Sequence, residues 1–384
     1  MNKINYFDVL VVYTESLAVS AADALESNNT PFLLGSRNES YNVVYGYFLK
    51  VCEKYNVNAA FTTSADIVGA GSASSFWTFC NKKWVKTKAL CFSNLIFDKF
   101  SPTRRGIKSR RKLLFSSEDV KSFNDPVLFG LFFDKQKTYE KLYDYSIPTI
   151  SVIDGSIQSI KKACTELSQL MKHYPGTLDF SDDIIMKDRF GAGGRHIYKF
   201  KINQSERMRS VFQKNTKISF IIQPFAKFEK GFCYHDLPAS TDIRIIYLNG
   251  KIVQSYIRVA KSGDFRCNEH RGGSLTYLSP REIPKELIKK SNLIAELLNN
   301  KSSLFALDFI VSNNGNIYLL EGNTGPGLDW NMSLKKNEVE AKKLIRLIVK
   351  ELSVRVSQEV VNESNNKTLD LILDISPIGY SVII

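Results

Sequence analysis

The chain has 384 residues, enough for two or three globular units, and its 43% hydrophobic and 24% charged residues are typical of a globular protein. No apolar run approaches the roughly 20 residues of a membrane helix, and the N-terminal FDVLVVY contains Asp8 and lacks a signal-cleavage pattern. The formal net charge of +13 favours anionic partners such as nucleotide phosphates or an acidic substrate, although a solvated basic surface is its simplest explanation.

Six cysteines and four histidines are dispersed along the chain, with no Cys-x-x-Cys pair. This spacing argues against a disulfide framework and against a zinc site. We therefore expect a cytoplasmic protein with reduced thiols.

Residues 1–122 alternate strand and helix patterns, which predicts an N-terminal α/β domain. Strands are predicted for FDVLVVY, AAFTT and ALCFSNLIF, and a helix for VVYGYFLKVCEKY. The basic segment TRRGIKSRRK (103–112) is predicted to be a loop. It contains no aromatic residue and no nucleic-acid motif, so we do not expect direct nucleic-acid binding.

Residues 123–220 are predicted to form a second unit. The segment 134–152 predicts a helix, a stop at Pro148 and a strand. SIQSIKKACTELSQLMKH places its apolar residues on one stripe of an amphipathic helix, and SFIIQPF predicts a strand that ends at Pro224.

Residues 221–354 are predicted to contain two β-hairpins. Each carries Asn-Gly where a two-residue turn would lie, at Asn249-Gly250 and at Asn314-Gly315. Helices are predicted at about 283–300 and 337–353. Residues 355–384 are predicted to be a C-terminal extension, with a polar linker and one or two short strands.

The second hairpin predicts a pair of facing carboxylates. With Asn314 and Gly315 at the centre of the turn, Asp308 lies opposite Glu321, and Asn323 projects to the same face. The other face is predicted to belong to the hydrophobic core, with Phe309, Val311, Tyr318 and Leu320. Facing acids repel, and oxygen ligands of this kind suit Mg²⁺. The alternative is a bulge that keeps the two acids apart.

The segment IIMKDRFGAGGRHIYKF (184–200) lacks a Walker motif, because no Gly-Lys-Ser/Thr follows its glycines. It predicts a strand–loop–strand flap with Lys187 at the end of the first strand. The exposed backbone N–H groups of Gly191, Gly193 and Gly194 could bind phosphates. An ordinary glycine-rich hairpin is the alternative.

Together these segments resemble the ATP-grasp superfamily, and within it the glutamate-ligase-type carboxylate–amine ligases. The segments that carry the resemblance lie between about 120 and 350: FNDPVLFGLFFDKQKTYEKLYDYSIPTI, DIIMKDRFGAGGRHIYKF, DIRIIYLNGKIVQSYIR, GDFRCNEHRGG and LDFIV…YLLEGNTGPGL. GDFRCNEHRGG is the most specific of them. The resemblance implies an α/β (α+β) ATP-grasp fold, in which the N-terminal domain precedes two α+β subdomains that clasp ATP.

The resemblance also implies roles for individual residues. Phosphate contacts are implied for Lys135 and Lys187, and a flap over the triphosphate for Gly191, Gly193 and Gly194. Adenine contacts are implied for the hinge residues Gln223, Phe225 and Ala226. Mg²⁺ or Mn²⁺ ligands are implied at Asp308, Glu321 and Asn323. A catalytic set beside the acyl phosphate is implied at Arg244, Arg258, Arg266 and Asn268, and substrate contacts at Arg271, Gly272 and Gly273.

Some features depart from the family pattern. The hinge Gln223-Pro224-Phe225 lacks the usual acidic residue, and the segment 227–240 is longer than expected. A simple register around Asn249-Gly250 places Arg244 and Arg258 on opposite faces, so either a bulge intervenes or one arginine is structural. His196 and His270 are expected to be scaffold or surface residues rather than general bases.

The implied reaction activates a carboxylate with the γ-phosphoryl group of ATP. An amine then attacks the acyl phosphate, giving an amide, ADP and phosphate, and the protein contributes mainly positioning and charge neutralisation. The expected partners are a carboxylate-bearing substrate and an amine from an amino acid, peptide or protein side chain. Three alternatives remain: a kinase of the same fold acting on a small molecule, a non-catalytic ATP-binding protein, and a basic nucleic-acid-binding module.

Overall fold

The computed structural model describes residues 3–24, 28–102, 105–234, 238–298, 303–328 and 334–373. These residues form eight α-helices and nineteen strands. None of the described helices has the length and apolar content of a membrane span. The chain divides into two compact units: the described parts of 1–97, 110–121 and 345–384 form one, and those of 98–109 and 122–344 form the other.

The N-terminal segment contains ten strands and two helices. The strands are β1 (Asn5–Tyr6), β2 (Val9–Tyr13), β3 (Ala59–Thr63), β4 (Ile67–Gly69), β5 (Ser72–Ala73), β6 (Phe76–Cys80), β7 (Lys83–Thr87), β8 (Cys91–Phe92), β9 (Leu95–Lys99) and β10 (Lys121–Ser122). The helices are α1 (Tyr41–Lys54) and α2 (Arg105–Leu114). One sheet has the order β10-β9-β2-β3-β6-β7, and a smaller sheet has the order β1-β8-β5-β4.

The predicted α/β pattern of this segment is confirmed for β2, β3, β8, β9 and α1. Strand β2 pairs in parallel with β3 and is buried along its whole length, which explains why VLVVY is a continuous apolar run. The β6–β7 hairpin was not predicted. Its strand β7 alternates between exposed and half-buried residues and carries lysines, so its apolar signal is weak.

The prediction of a loop over 103–112 is wrong from Arg105 onward, because helix α2 begins there; Thr103 and Arg104 lie outside the described residues. Ile107 and Leu114 are both buried. They lie seven residues apart, on one side of the helix, and this two-turn spacing was the sign of an amphipathic helix.

The next part of the chain builds a four-stranded antiparallel sheet and the helices around it. Its elements are α3 (Pro126–Phe133), α4 (Lys135–Lys141), β11 (Ile150–Val152), α5 (Ile157–Lys172), β12 (Phe180–Asp188), β13 (Ile197–Lys201), α6 (Ser205–Lys214) and β14 (Phe220–Ala226). The strand order is β11-β14-β12-β13. The amphipathic helix α5 buries Ile160, Cys164 and Leu167 against Met186 and Phe220, as its stripe predicts.

Strand β14 continues through Pro224 to Ala226, so the predicted end at Pro224 is wrong. The ladder with β11 covers only Phe220–Ile222, whereas Pro224 pairs with Ile184 of β12. Proline lacks an N–H to donate, and it is tolerated here because the β11 ladder has already ended.

The remaining elements form a five-stranded antiparallel sheet with two helices: β15 (Thr241–Leu248), β16 (Lys251–Val259), β17 (Ser274–Tyr277), α7 (Lys285–Leu297), β18 (Leu304–Val311), β19 (Ile317–Asn323) and α8 (Lys335–Leu373). The strand order is β17-β16-β15-β18-β19. One face of this sheet packs on α7 through a core that includes Ile245, Leu287, Ile294 and Phe305. The opposite face holds the charged residues described below.

Helix α8 corrects the prediction for the C-terminus. The predicted linker and strands are wrong over 355–373, where the helix continues, and residues 374–384 lie outside the described part. No glycine or proline occurs between Lys335 and Leu373, so nothing in the segment breaks a helix. The Arg355–Glu351 pair at 2.8 Å has the i,i+4 spacing that supports one.

Candidate active site

The β18–β19 hairpin brings two acids together. Asp308 lies directly opposite Glu321, as predicted, but the ladder reaches this pairing by another route. Val311 pairs with Ile317, one residue away from the predicted register, and a β-bulge beside Asp308 restores it. The predicted two-residue turn was wrong. The bulge offsets the one-residue change in register, so Asp308 still pairs with Glu321.

A buried carboxylate sets the conformation of this turn. Asp179 is 1% exposed and accepts hydrogen bonds at 2.5–2.8 Å from four hairpin side chains: Ser312 Oγ, Asn314 Nδ2, Asn316 Nδ2 and Tyr318 Oη. The turn closes instead with the N–H of Gly315 donating to the carbonyl of Ser312 at 2.9 Å. The asparagines therefore bind Asp179, and Asn314-Gly315 does not form the predicted turn.

The shifted register also changes which residues share a face. Phe309 and Val311 belong to one core cluster with Leu319, whereas Tyr318 packs with Ile310 in another. The prediction that Phe309, Val311, Tyr318 and Leu320 share one core face is therefore wrong. Leu320 lines the same pocket as Glu321.

The β15–β16 hairpin brings two arginines to the same face as Asp308. Its turn is the predicted one, because Asn249 and Gly250 both have positive φ, 53° and 71°. A bulge after Ile246 then places Arg244 beside Asp308 of β18, and Arg258 opposite Asp242. Of the two alternatives for these arginines, a bulge or one structural arginine, the structure shows the bulge.

These four side chains form a buried network of two cations and two anions. Arg244 donates to both oxygens of Asp308, from Nε and Nη2, at 2.5 Å each. Arg258 donates to both oxygens of Asp242, at 2.7 and 2.9 Å, and its Nη2 also donates to Asp308 Oδ2 at 2.8 Å. Each charge is paired, which burial of ionised groups requires.

The network shifts the pKa values of its acids in opposite directions. Burial raises the pKa of Asp242 against the lowering effect of Arg258. Burial also acts on Asp308, but the two arginines outweigh it and lower the pKa of that carboxyl group. Asp308 therefore stays ionised at neutral pH.

A pocket of about 900 Å³, partly open to solvent, lies beside this network. It is lined by most of the residues that the sequence analysis singled out: Lys135, Lys187, Gly191, Gly193, Gly194, Gln223, Phe225, Ala226, Arg258, Arg266, Asn268, Asp308 and Glu321. Residues up to 186 positions apart in the sequence thus meet in one pocket, from Lys135 to Glu321.

Five predicted site residues are not among the residues that line this pocket: Arg244, Asn323, Arg271, Gly272 and Gly273. Arg244 is bound to Asp308 as described. The amide oxygen of Asn323 accepts the N–H of Gly325 at 2.7 Å. Gly272 has a positive φ of 89°, and Gly273 packs against the backbone of Cys267 too closely for a Cβ atom.

Two lysines contribute positive charge to the pocket lining. Lys187 is the penultimate residue of β12, before the flap, and is buried. Burial, followed by the nearby charge of Lys135, lowers its pKa to about 8 against the effect of Glu321. Lys135 donates from Nζ to the carbonyl of Gly191 and lies 3.8 Å from Glu321. Two ammonium groups facing one carboxylate leave a net positive charge that suits an anion.

The flap is a strand–loop–strand element, as predicted, and touches the GDFRCNEHRGG segment. A Cβ atom at Gly194 would lie 2.5 Å from Asn268 Oδ1 and 3.5 Å from the Arg271 side chain. The same glycine has a positive φ of 69°. Both facts require glycine at this position.

The first turn of the flap is fixed to helix α4 by residues that the sequence analysis missed. The Asp134 carboxylate caps α4 and binds the Arg189 guanidinium through two hydrogen bonds of 2.6 Å. Phe133 stacks on Phe190, with ring centroids 5.2 Å apart. The signal for Asp134 was its position before Lys135, where a capping residue is favoured.

Part of the pocket lining is apolar, and the sequence analysis missed four of its residues: Ile147, Ile185, Phe228 and Ile310. Ile185 and Ile310 lie two residues from Lys187 and Asp308 on the same strands. Since side chains alternate along a strand, this spacing could have identified them. Gln223 also lines the pocket and donates from Nε2 to Thr149 Oγ1 at 2.7 Å.

The two histidines near the motifs were predicted to be scaffold or surface residues. His196 Nδ1 lies 3.3 Å from Tyr198 Oη, and His196 is not among the lining residues. The side chain of His270 lies outside the described part of the chain.

The predicted metal ligands fit a hard cation by their donor chemistry. Within the described residues, no three His, Cys, Asp or Glu side chains form a metal-binding cluster, so a site here would use two acids and Asn323 or other oxygen donors. Arginines occupy three of the roughly four lone-pair positions of the Asp308 carboxylate. One position therefore remains for a cation, next to Glu321.

Comparisons with known proteins identify the family of the chain. The sequence model of the RimK-like ATP-grasp domain matches residues 134–348, which is more than half of the chain. A probable alpha-L-glutamate ligase of Shewanella pealeana is 33% identical over 116 residues, covering 30% of this chain and 22% of that protein. A probable alpha-L-glutamate ligase 2 of Pseudoalteromonas atlantica is 35% identical over 111 residues, covering 28% and 34%. The chain thus matches about a third or less of the length of these curated relatives.

Solved structures show the fold. A D-cycloserine synthetase structure superposes with a TM-score of 0.56 and 13% identity, over 91% of this chain and 99% of the other. The D-alanyl-alanine synthetase A of Vibrio cholerae superposes with a TM-score of 0.53 and 16% identity, over 92% and 99%. The chain has the ATP-grasp fold and belongs to the RimK-like ATP-grasp domain family.

Proposed function

We propose that the protein is an ATP-dependent carboxylate–amine ligase that forms an amide bond through an acyl phosphate and releases ADP and phosphate. The observation that carries this proposal is the composition of one pocket. Its lining combines apolar side chains, two lysines beside a glycine flap, and a pair of facing acids. These are the parts that nucleotide binding and phosphoryl transfer need.

ATP would occupy the length of the pocket. Adenine would bind against the apolar lining, beside Gln223, Phe225 and Ala226. These residues lie on β14 beyond the end of the β11 ladder. The phosphates would lie on Lys135 and Lys187, beneath the flap glycines Gly191, Gly193 and Gly194. The lowered pKa of Lys187 leaves it charged at neutral pH, so it can neutralise phosphate oxygens.

Asp308 and Glu321 would hold Mg²⁺ or Mn²⁺, with Asn323 as the third protein ligand. Such a cation neutralises the charge that develops during phosphoryl transfer. Arg244 holds the Asp308 carboxylate in place from outside the pocket lining, and this contact assigns it a supporting role.

The acyl phosphate would form beside Arg258, Arg266 and Asn268, which line the pocket next to the flap. Arg266 is held by Asp264 at 2.7 Å, and its hydrogen bonds lower the pKa of Asp264 to about 2. A fixed guanidinium can stabilise the anionic tetrahedral intermediate that the amine forms. The substrate would contact this segment at Arg271, Gly272 and Gly273.

The substrates would be a carboxylate and an amine, from amino acids, peptides or protein side chains. The names of the curated relatives make glutamate the first amino acid to test. We also infer a cytoplasmic location, because all six cysteines are free thiols.

The test is a screen of ADP release with amino acids and peptides, singly and in pairs, with mass spectrometry of the products. The proposal expects ADP release that needs both a carboxylate and an amine. It also expects a product whose mass equals the sum of the two substrates less one water molecule. A phosphorylated hydroxyl compound as product would instead identify a kinase. Salt-sensitive nucleic-acid binding without any ATP dependence would identify a nucleic-acid-binding module.

A further inference from the structure

The two arginines beside Asp308 are held differently. Arg244 gives two hydrogen bonds to Asp308 and one to Tyr256 Oη at 3.2 Å, and it contacts no other acid of the network. Arg258 gives two hydrogen bonds to Asp242 and only one to Asp308. Asp242 therefore accepts two of the three hydrogen bonds that Arg258 gives within the network.

The hydrogen bonds also show which part of Asp308 is available. Oδ2 accepts one hydrogen bond from each arginine, whereas Oδ1 accepts one from Arg244 Nε, so about one lone-pair position remains, on Oδ1. Arg258 contacts Asp308 at Oδ2 and leaves that position open. What Arg258 adds beside Asp308 is positive charge, and Asp242 neutralises this charge.

We propose that Asp242 is a positioning residue for the metal site: by holding Arg258 and neutralising its charge, it keeps Asp308 able to bind a divalent cation. The inference rests on the metal site of the proposed function. Asp242 was not among the site residues predicted from the sequence, although it lines the same pocket.

The net charge of the network affects how tightly Asp308 could bind a cation. Two guanidinium groups and two carboxylates make the network neutral, so a cation that approaches Asp308 meets no net repulsion from it. Removing the charge of Asp242 leaves two cations and one anion around the metal position. A divalent cation would then bind more weakly for electrostatic reasons as well.

A purely structural role for Asp242 makes a different prediction. Its pair with Arg258 is buried, so breaking the pair lowers stability in either case. If stability were its only role, folded Asp242→Asn protein would bind metal as the wild type does. Metal affinity of the folded protein therefore separates the two roles.

The experiment measures Mn²⁺ binding to the full chain in the presence of ADP, by the electron paramagnetic resonance signal of free Mn²⁺. It is run below the unfolding temperature of each variant. We expect Asp242→Asn to raise the Kd by about tenfold or more, in the range seen when the partner of a metal ligand is lost. We expect Arg258→Gln to lower the Kd, because this change removes a cation beside Asp308 and leaves the charge of Asp242 unpaired.

The double variant Asp242→Asn/Arg258→Gln completes the cycle. Since Asp242 acts through Arg258, we expect the double variant to bind Mn²⁺ as tightly as wild type, within about threefold. An unchanged Kd in folded Asp242→Asn, or an unchanged or raised Kd in Arg258→Gln, would overturn the inference. Should Asp242→Asn fail to fold, Arg258→Gln still decides, because only a lowered Kd supports the inference.

Asp308→Asn separates this inference from the metal assignment beneath it. Weak binding in Asp308→Asn together with unchanged binding in Asp242→Asn would overturn the role of Asp242 alone. Wild-type binding in Asp308→Asn would overturn the metal assignment and, with it, the inference.

Discussion

The two Asn-Gly hairpins of the C-terminal sheet have the same sequence signal and different structures. At Asn249-Gly250 both residues adopt positive φ, and the strands pair outward from a two-residue turn. At Asn314-Gly315 the signal is equally strong, yet the turn closes from Ser312 to Gly315. The second turn is distinguished by Asp179, a buried carboxylate that binds its side chains.

The comparison teaches that local turn chemistry is decisive only where no stronger acceptor competes for the side chains. A hydrogen bond to a buried carboxylate is worth about 1.5–3 kcal/mol, which exceeds the preference for one turn type. Both hairpins then use a bulge to orient their charged residues: one orients Arg244, and the other brings Asp308 opposite Glu321.

The largest expected effect concerns the acids that the second hairpin presents. We expect Glu321→Gln to lower ATP turnover by at least about 100-fold, because it removes a carboxylate from the proposed metal site. Glu321 is half-buried and its nearest charged partner is Lys135 at 3.8 Å, so the unfolding temperature should change little. Steady-state ADP release and thermal unfolding measure the two quantities.

Lys251→Ala is the matched control from the first hairpin, since Lys251 is exposed at the start of β16 and outside the pocket lining. Its turnover should stay close to wild type. Retention of wild-type turnover by Glu321→Gln would refute the metal role of the hairpin.

The next effect tests the cause of the difference between the turns. Asp179→Ala leaves four donors of the second turn without their acceptor, and we expect a loss of about 3–5 kcal/mol in the free energy of unfolding. Urea unfolding measures it. Asp182→Ala, at an exposed position three residues away, should change stability by less than about 0.5 kcal/mol. A loss below about 1 kcal/mol for Asp179→Ala would mean that Asp179 does not determine the turn.

The contribution of Asp179 should also depend on pH. Burial acts to raise its pKa, but the four hydrogen bonds outweigh burial, and the pKa is lowered from its ordinary value. An acid with a lowered pKa stabilises the fold above its unfolded pKa of about 3.9 and loses this contribution as pH falls through the folded value. The stability difference between wild type and Asp179→Asn should therefore shrink between about pH 4 and pH 2. A constant difference across that range would contradict the assignment.

The smallest effect compares the turn glycines. Gly250 and Gly315 both have positive φ, 71° and 86°, and no atom lies within 4 Å of a Cβ added at either position. Alanine at either site should therefore cost only backbone strain, about 1 kcal/mol. Urea unfolding of Gly250→Ala and Gly315→Ala should give similar losses. A much larger loss at one site would show that its glycine does more than close a turn.

Particular residues show what the sequence could and could not predict. The opposition of Asp308 and Glu321 followed from counting along a hairpin, and it survived a wrong turn only because a bulge restored the register. The expected placement of Arg244 and Arg258 on opposite faces left two alternatives, a bulge or one structural arginine, and the structure shows the bulge. Strand alternation carried both predictions, since it is a local rule.

Residues that act across long sequence separations could not be predicted. Asp179 lies 133 residues before Ser312, and Asp134 lies 55 residues before Arg189, so no spacing rule connects either pair. The C-terminal linker was predicted from polar residues that also suit the exposed face of a long helix. These errors arise where tertiary contacts or weak local preferences decide the structure.

The most direct test of the proposed function follows the oxygen atoms of the carboxylate substrate. When the substrate pair found by the ADP screen is supplied with ¹⁸O in its carboxylate, an acyl-phosphate mechanism transfers one labelled oxygen to the released phosphate. We predict ¹⁸O-labelled phosphate in one-to-one ratio with the amide, detected by mass spectrometry. Unlabelled phosphate alongside the amide would contradict the acyl-phosphate account.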